Sequence, residues 1–309
     1  MKNMNKLAIY LVTCVMLTCA CRDSETIGED QACKIINHGN VSGPELDQNE
    51  ELPGLEDVYD QFETHVRNKD IDGLNGIFLH NSAPLFIVGK KPTGIQSVRL
   101  DGAGFRNYVT NTPGLELRIS NTDFRIKKGV AVSWANYEEV TYSGTTATGV
   151  DLFFYINTES GWKLTTTNNT FVNPGDNTDY EAKYAMHDSP AAIIPNLVTA
   201  FNEKDESAWL DNFRSQSTFM VLSSEFSESF SNSAHTTEAF IDCVTSDSNE
   251  YTLSITNAFI EIKDYYLAMV LANYSIGLEG EELESGEIVL TMIGTPNGGW
   301  KISAGALTY

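Results

Sequence analysis

Positive charge is scarce in this chain: 20 lysines and arginines stand against 42 aspartates and glutamates in 309 residues, a formal net charge of −22. Such a surface repels phosphate backbones and anionic headgroups, which argues against nucleic-acid binding and electrostatic membrane docking. Histidine is scarcer still, with five residues, so nucleophilic triads lack an obvious base. There is no Walker loop, no G-x-S-x-G elbow, no C-x-x-C pair and no H-E-x-x-H helix. His235, Glu238 and Asp242 could share a helical face and hold a metal, but acids also suit the first turn of a helix for its dipole, so no metal site and no cofactor are assigned. No apolar run reaches the roughly 20 residues that a membrane-spanning helix needs.

The apolar run that is present, Leu7 to Ala20, follows Lys2 and Lys6 and ends at Cys21, the layout of a secretion signal over residues 1–21. It resembles a bacterial lipoprotein signal, in which the cysteine is lipidated and becomes the new N-terminus. Thr18 stands where that pattern has leucine, with Leu17 one place further back, and an ordinary cleaved signal is the alternative. The resemblance implies lipidation at Cys21, and Arg22 after it suits sorting to the outer membrane. Without residues 1–21 the chain keeps 18 basic and 42 acidic residues, a charge of −24, so membrane attachment would come from the lipid alone. Cys33 and Cys243 then remain, as one disulfide or as two free thiols.

Residues 22–53 hold eight acids, two bases and no hydrophobic period, which reads as a disordered acidic tether. The chain then runs twice through one programme. Leu55, Val58, Tyr59, Phe62 and Val66 fall on one helical face, as do Ile194, Leu197, Val198 and Phe201. "NKDIDGL" answers to "EKDESAW", "LELRISN" to "YTLSITN", "WANY" at 134–137 to "LANY" at 271–274, Gly149 to Gly286, and "GWK" at 161–163 to "GWK" at 299–301. The offset drifts only from 135 to 138, as small loop insertions would produce. Each pass predicts helix, short helix, strand, helix and then long alternating strands, the last two joined by the turns "NTESG" and "TPNGG". Ser189-Pro190 reads as an N-cap and first helical residue, with Pro195 marking a start or kink.

This order of elements, the "NKDIDGL" and "EKDESAW" junctions and the closing "GWK" strands resemble the nuclear transport factor 2-like superfamily. The resemblance implies an α+β fold of two tandem cone-shaped domains, residues 54–172 and 190–309 joined by a linker at 173–189. Each would be a curved, mostly antiparallel sheet wrapped on a long N-terminal helix. Members often pair through the outer faces of their sheets, which implies an internal pseudo-two-fold and a monomer. They range from ketosteroid isomerases, dehydratases and polyketide cyclases to proteins that only bind or scaffold.

An isomerase-type site needs a carboxylate to move a proton and buried donors for an oxyanion. By the resemblance the donor on the first helix falls on Phe62 and Leu197, which carry no hydroxyl, and the base falls near Phe86, in "APLFIVG", which has no carboxylate. Asp151 does match the late-strand acid, and alternation puts Phe153 and Tyr155 on its face. The expected cavity residues are Phe62, Phe86, Phe105, Asp151, Phe153 and Tyr155. The expected function is a lipid-anchored envelope protein, without catalysis, that binds a small apolar molecule or an envelope partner. The alternative is an isomerase, dehydratase or cyclase with Asp151 as its acid.

Overall fold

The computed structural model describes residues 34–35, 54–80, 83–127, 129–158, 160–183, 186, 188–222, 233–238, 241, 245, 250–278 and 281–308. The lipidation candidate Cys21, both Cys33 and Cys243, and Asp242 lie outside them. No helix among the described residues is long and apolar enough to cross a membrane.

The first half opens with helix α1 (Leu55–Asn68), whose Leu55, Val58, Tyr59, Phe62 and Val66 are all buried. Lys69 turns left-handed at φ 56° to end it, and Asp70 caps the next helix, α2 (Ile71–Ile77), by accepting from the Gly73 N–H. Strands β2 (Leu85–Lys91) and β3 (Gly94–Leu100) form a hairpin, where a single strand was expected. Helix α3 (Gly102–Asn111) follows, capped by Asp101. Four long strands complete the half: β4 (Glu116–Lys127), β5 (Val130–Thr141), β6 (Gly144–Thr158) and β7 (Gly161–Val172).

The second half repeats the order. A 3₁₀ turn, Pro190–Ala192, is capped by the Ser189 side chain, and α5 (Ile193–Asn202) follows with Pro195 in its first turn, where the backbone N–H has no intrahelical partner to lose. Lys204 is left-handed at φ 54°, and Asp205 caps α6 (Glu206–Asp211). Strands β8 (Phe213–Leu222), β9 (Ser233–Thr236), β10 (Tyr251–Lys263), β11 (Leu267–Leu278), β12 (Glu281–Gly294) and β13 (Trp300–Thr308) make the second sheet. The strand order β4-β5-β6-β7-β2-β3 recurs as β10-β11-β12-β13-β8-β9, each with one parallel neighbour pair, β2 with β7 and β8 with β13.

Matched positions share their distortions as well as their order. Asn121 (φ 54°) and Asn257 (φ 52°) sit in bulges at Ser120/Asp123 and Thr256/Phe259. A second pair of bulges lies at Glu139/Val140 and Ile276/Gly277, and a third at Phe154/Tyr155 and Thr291/Met292. Each bulge bends its strand and raises the local twist, so the two sheets curve alike. The "WANY" and "LANY" segments take the same roles: Trp134 and Leu271 pack between the sheets, while Ala135 and Ala272 face their own half's interior. Tyr137 lies opposite Gly149 and Tyr274 opposite Gly286.

The molecule is therefore a mixed α+β structure with two curved sheets. Among the described residues three apolar cores hold it together. One lies between α1, α2, α3 and the inner face of the first sheet; a second lies between α5, α6 and the inner face of the second. The third lies between the sheets, where Phe86, Val88, Val132, Trp134, Leu152 and Phe154 meet Leu267, Met269, Leu271, Val289, Ala304 and Ala306. Ion pairs fence this contact. Arg125 meets Glu261 at 3.2 Å, 136 positions further along, Lys127 meets Glu287 at 2.9 Å, and Lys90 and Thr170 both reach Asp264.

Four expectations need correction. The N-terminal helices are short, 14 and 10 residues, because the cores they cover end there. Lys34–Ile35 of the expected tether form β1, which pairs in parallel with Phe259–Ile260 at the edge of β10. The linker is not merely polar: it holds α4 (Tyr180–Lys183), and Tyr180 is buried in the core between the sheets, its carbonyl accepting from the Tyr266 hydroxyl at 3.2 Å. His235 belongs to β9, opposite Phe219, and not to a helix with Glu238.

Gly149 has no room for a side chain, since a Cβ there would stand 1.8 Å from the Thr170 carbonyl oxygen. Gly149→Ala is expected to destabilise the chain by about 1–3 kcal/mol through overpacking, read as a lower urea midpoint with unchanged slope. An unshifted midpoint would mean the strands part there without cost.

Candidate functional site

Alternation along β6 sends Leu152, Phe154 and Ile156 to the contact between the sheets and Asp151, Phe153 and Tyr155 to the concave face. On that face a cavity of about 280 Å³ opens between α1, α3 and the sheet. Its walls are apolar, with Phe62, Phe105 and Phe153 joined by Leu85, Leu100 and Leu117. Phe62 and Phe105 stack at 5.9 Å with planes 5° apart, and Phe153 meets Phe62 edge-on at 5.7 Å. Among the described residues no lysine, arginine or histidine lines it.

Polar groups gather at two places. At the floor Asp151, 6% exposed, lies opposite Asn169 of β7 and accepts a hydrogen bond from its side chain. Burial pushes the Asp151 carboxyl from 3.8 up to about 8, against the pull of that bond. Among the described residues the Asn169 Oδ1 is buried with no hydrogen-bond partner. At the rim, Thr146 donates to the Glu139 carboxylate at 2.5 Å and the Tyr108 hydroxyl donates to it as well. Burial first, and then this bond and the charge of Glu139, raise the Tyr108 hydroxyl. Tyr137 lines the wall between floor and rim, raised chiefly by burial and then by Asp151 and Glu139.

Four of the six expected cavity residues line it: Phe62, Phe105, Asp151 and Phe153. Phe86 does not. The parity of β2 turns Leu85 and Ile87 inward and Phe86 toward the other sheet, where it is fully buried beneath the Arg214 guanidinium at 6.0 Å. Tyr155 lies on the concave side but beyond the cavity, in a hydroxyl network that the sequence did not suggest. Tyr59 and Ser133 share a hydrogen bond of 2.5 Å, and Ser133 donates to the Tyr155 oxygen at 3.2 Å. The first helix thus does bring a hydroxyl into the fold, one turn before Phe62. Elsewhere, His65 is tied to the capping Asp70 at 2.9 Å, His80 is exposed, and Glu287 is spent on Lys127. Among the described residues no group of three His, Cys, Asp or Glu could hold a metal ion.

The second half supplies an internal control. Asp151 opposite Asn169 becomes Ile288 opposite Leu307, two apolar residues each 2% exposed. Tyr59, Ser133 and Tyr155 answer, at offsets of 135 to 137, to Ile194, Val270 and Met292, all members of the second core. Trp209, Phe213, Phe219 and Trp300 pack that interior. The fold is built at these places without any polar group, so it does not require the polar groups of the first half.

No family model matches the chain, and no curated protein matches it. Solved structures do resemble it. An NTF2-like protein from Cytophaga hutchinsonii is 19% identical over 39% of this chain and 97% of its own, with a TM-score of 0.32. An NTF2-like protein with a cystatin-like fold from Novosphingobium aromaticivorans is 10% identical over 40% and 83%, with a TM-score of 0.33. An NTF2-like protein of unknown function from Pseudomonas putida is 10% identical over 38% and 84%, with a TM-score of 0.31.

The raised Asp151 carboxyl has a direct consequence for stability. Below about pH 4 folded and unfolded chains both hold its proton; from about pH 4 to about pH 8 the unfolded chain releases it and the folded chain keeps it, so stability falls as pH rises. Asp151→Asn removes that slope. The variant should gain on the wild type by on the order of a few kcal/mol between pH 4 and pH 8, measured by urea unfolding. A difference that stays constant with pH would mean that Asp151 is ionised in the folded chain.

Proposed function

We propose that this chain is an exported, lipid-anchored binding protein built from two tandem nuclear transport factor 2-like units. The first unit holds a small, largely apolar molecule; the second covers its back. Export and lipidation rest on residues 1–21, with Cys21 as the lipid site and the outer membrane as the destination. The cavity is at the small end of ligand pockets, which run to roughly 300–1,000 Å³, and suits a molecule of one or two rings.

The observation that carries this reading is the contrast at one cross-strand place. A buried acid and amide cost stability where the second half shows Ile288 and Leu307 doing the same structural work. Groups kept at such a cost, facing an open apolar cavity, are there for what enters it. Burial favours the protonated form of Asp151, which presents an O–H to an acceptor oxygen, the way a neutral acid orients a carbonyl.

A second reading has one observation in its favour. A carboxyl that titrates at about 8 can also give up and regain a proton during turnover, as an isomerase or dehydratase acid would. That chemistry needs a second proton-transfer group within reach of the same ligand, and Glu139 at the rim already accepts from Thr146 and Tyr108.

Asp151→Ile with Asn169→Leu copies the second half into the first and should fold. Native mass spectrometry of the full chain from a bacterial envelope should find a small molecule that leaves on denaturation, with occupancy lowered about tenfold in the double variant, the loss expected for one buried hydrogen-bonded contact. An empty wild type, or a variant equally loaded, would overturn the binding reading.

A further inference from the structure

The polar groups around the cavity also specify what the molecule carries. This step rests on the binding reading above and narrows it. At the floor, Asp151 and Asn169 stand side by side on adjacent strands, and they offer unlike things. Asp151, with no cation lining the cavity to hold it ionised, offers an O–H. Asn169 gives one amide N–H to Asp151 and, among the described residues, leaves its buried Oδ1 without a partner. A buried acceptor without a hydrogen bond costs about 1–3 kcal/mol, and an incoming N–H or O–H would recover it. One donor and one acceptor side by side match a group that carries one acceptor and one donor on neighbouring atoms.

At the other end the rim carries the Glu139 carboxylate and, among the described residues, no positive side chain. An anion entering this cavity would shed water, meet no counter-charge and pass a like charge, within a protein of net charge −22. Carboxylates, phosphates and sulfates are therefore refused.

We propose that the first cavity selects an uncharged carboxamide or lactam on an apolar ring body, its carbonyl oxygen accepting from Asp151 and its N–H donating to Asn169 Oδ1. An acceptor-only ketone fills the same space and leaves Asn169 unanswered. An acid of the same shape places negative charge where nothing receives it.

Three probes with one body separate these cases: 2-naphthamide, 2-acetylnaphthalene and 2-naphthoate, titrated calorimetrically into the full chain at pH 7. The amide should bind about tenfold more tightly than the ketone, and the ketone about tenfold more tightly than the carboxylate. Asn169→Leu, which borrows the Leu307 side chain, should bring amide and ketone to within about threefold by weakening the amide alone, and Glu139→Gln should strengthen the carboxylate severalfold without moving the ketone. Equal binding of amide and ketone, or an amide preference that survives Asn169→Leu, would overturn the head-group assignment while leaving the binding reading intact. Carboxylate binding as tight as the ketone would overturn the exclusion of anions. Failure of all three probes would count against the binding reading itself.

Discussion

The outer faces of both sheets are apolar on alternate residues, and neither can be left to water; they cover each other. Phe86, Val132, Trp134 and Phe154 on one side and Leu267, Met269, Leu271 and Val289 on the other form a core that belongs to neither half alone. At roughly 25 cal/mol per Å² of apolar surface, such a contact outweighs the ion pairs around it, whose members are partly exposed. Everything else is arranged around that contact. Because the backs are sealed, each concave face needs only its own helices, and the two faces are free to differ.

They do differ, and the difference separates structure from chemistry. In the second half aliphatic and aromatic side chains run from Ile194 through Val270 to Met292, and Ile288 packs beside Leu307. In the first half the same places hold Tyr59, Ser133, Tyr155, Asp151 and Asn169. A chain carrying both versions on one backbone offers an uncommon comparison: the polar set costs desolvation, and its apolar counterpart shows that the fold could have done without it.

Much of this was legible in the sequence because periodicity and repetition are strong signals. The apolar face of α1, the paired Lys-Asp junctions and the sharing of one face by Asp151 and Phe153 follow from spacing, while the inward turn of that face came from the family resemblance. What escaped did so through single-residue effects. Parity along β2 decides whether Phe86 or its neighbours face inward, and nothing local fixes that parity. Counting back from the turn after Thr158, Asp151 should lie opposite Asn168; the bulge at Phe154/Tyr155 moves it to Asn169. The hydroxyl network joins residues 74 and 22 positions apart, a separation that no local pattern bridges. Tyr180 sits in a polar run whose composition conceals one buried anchor.

The contact between Arg125 and Glu261 joins a place in the first sheet to its counterpart in the second. In a symmetric pair of identical chains a residue on the two-fold axis meets its own copy, so like charge faces like. Two halves that differ at that place can set a guanidinium against a carboxylate there. Under the tandem reading, that exchange works as a ratchet. Either half, separated and paired with itself in the same way, would bring arginine toward arginine or glutamate toward glutamate there, so the mixed pair favours the two halves of one chain over two copies of either.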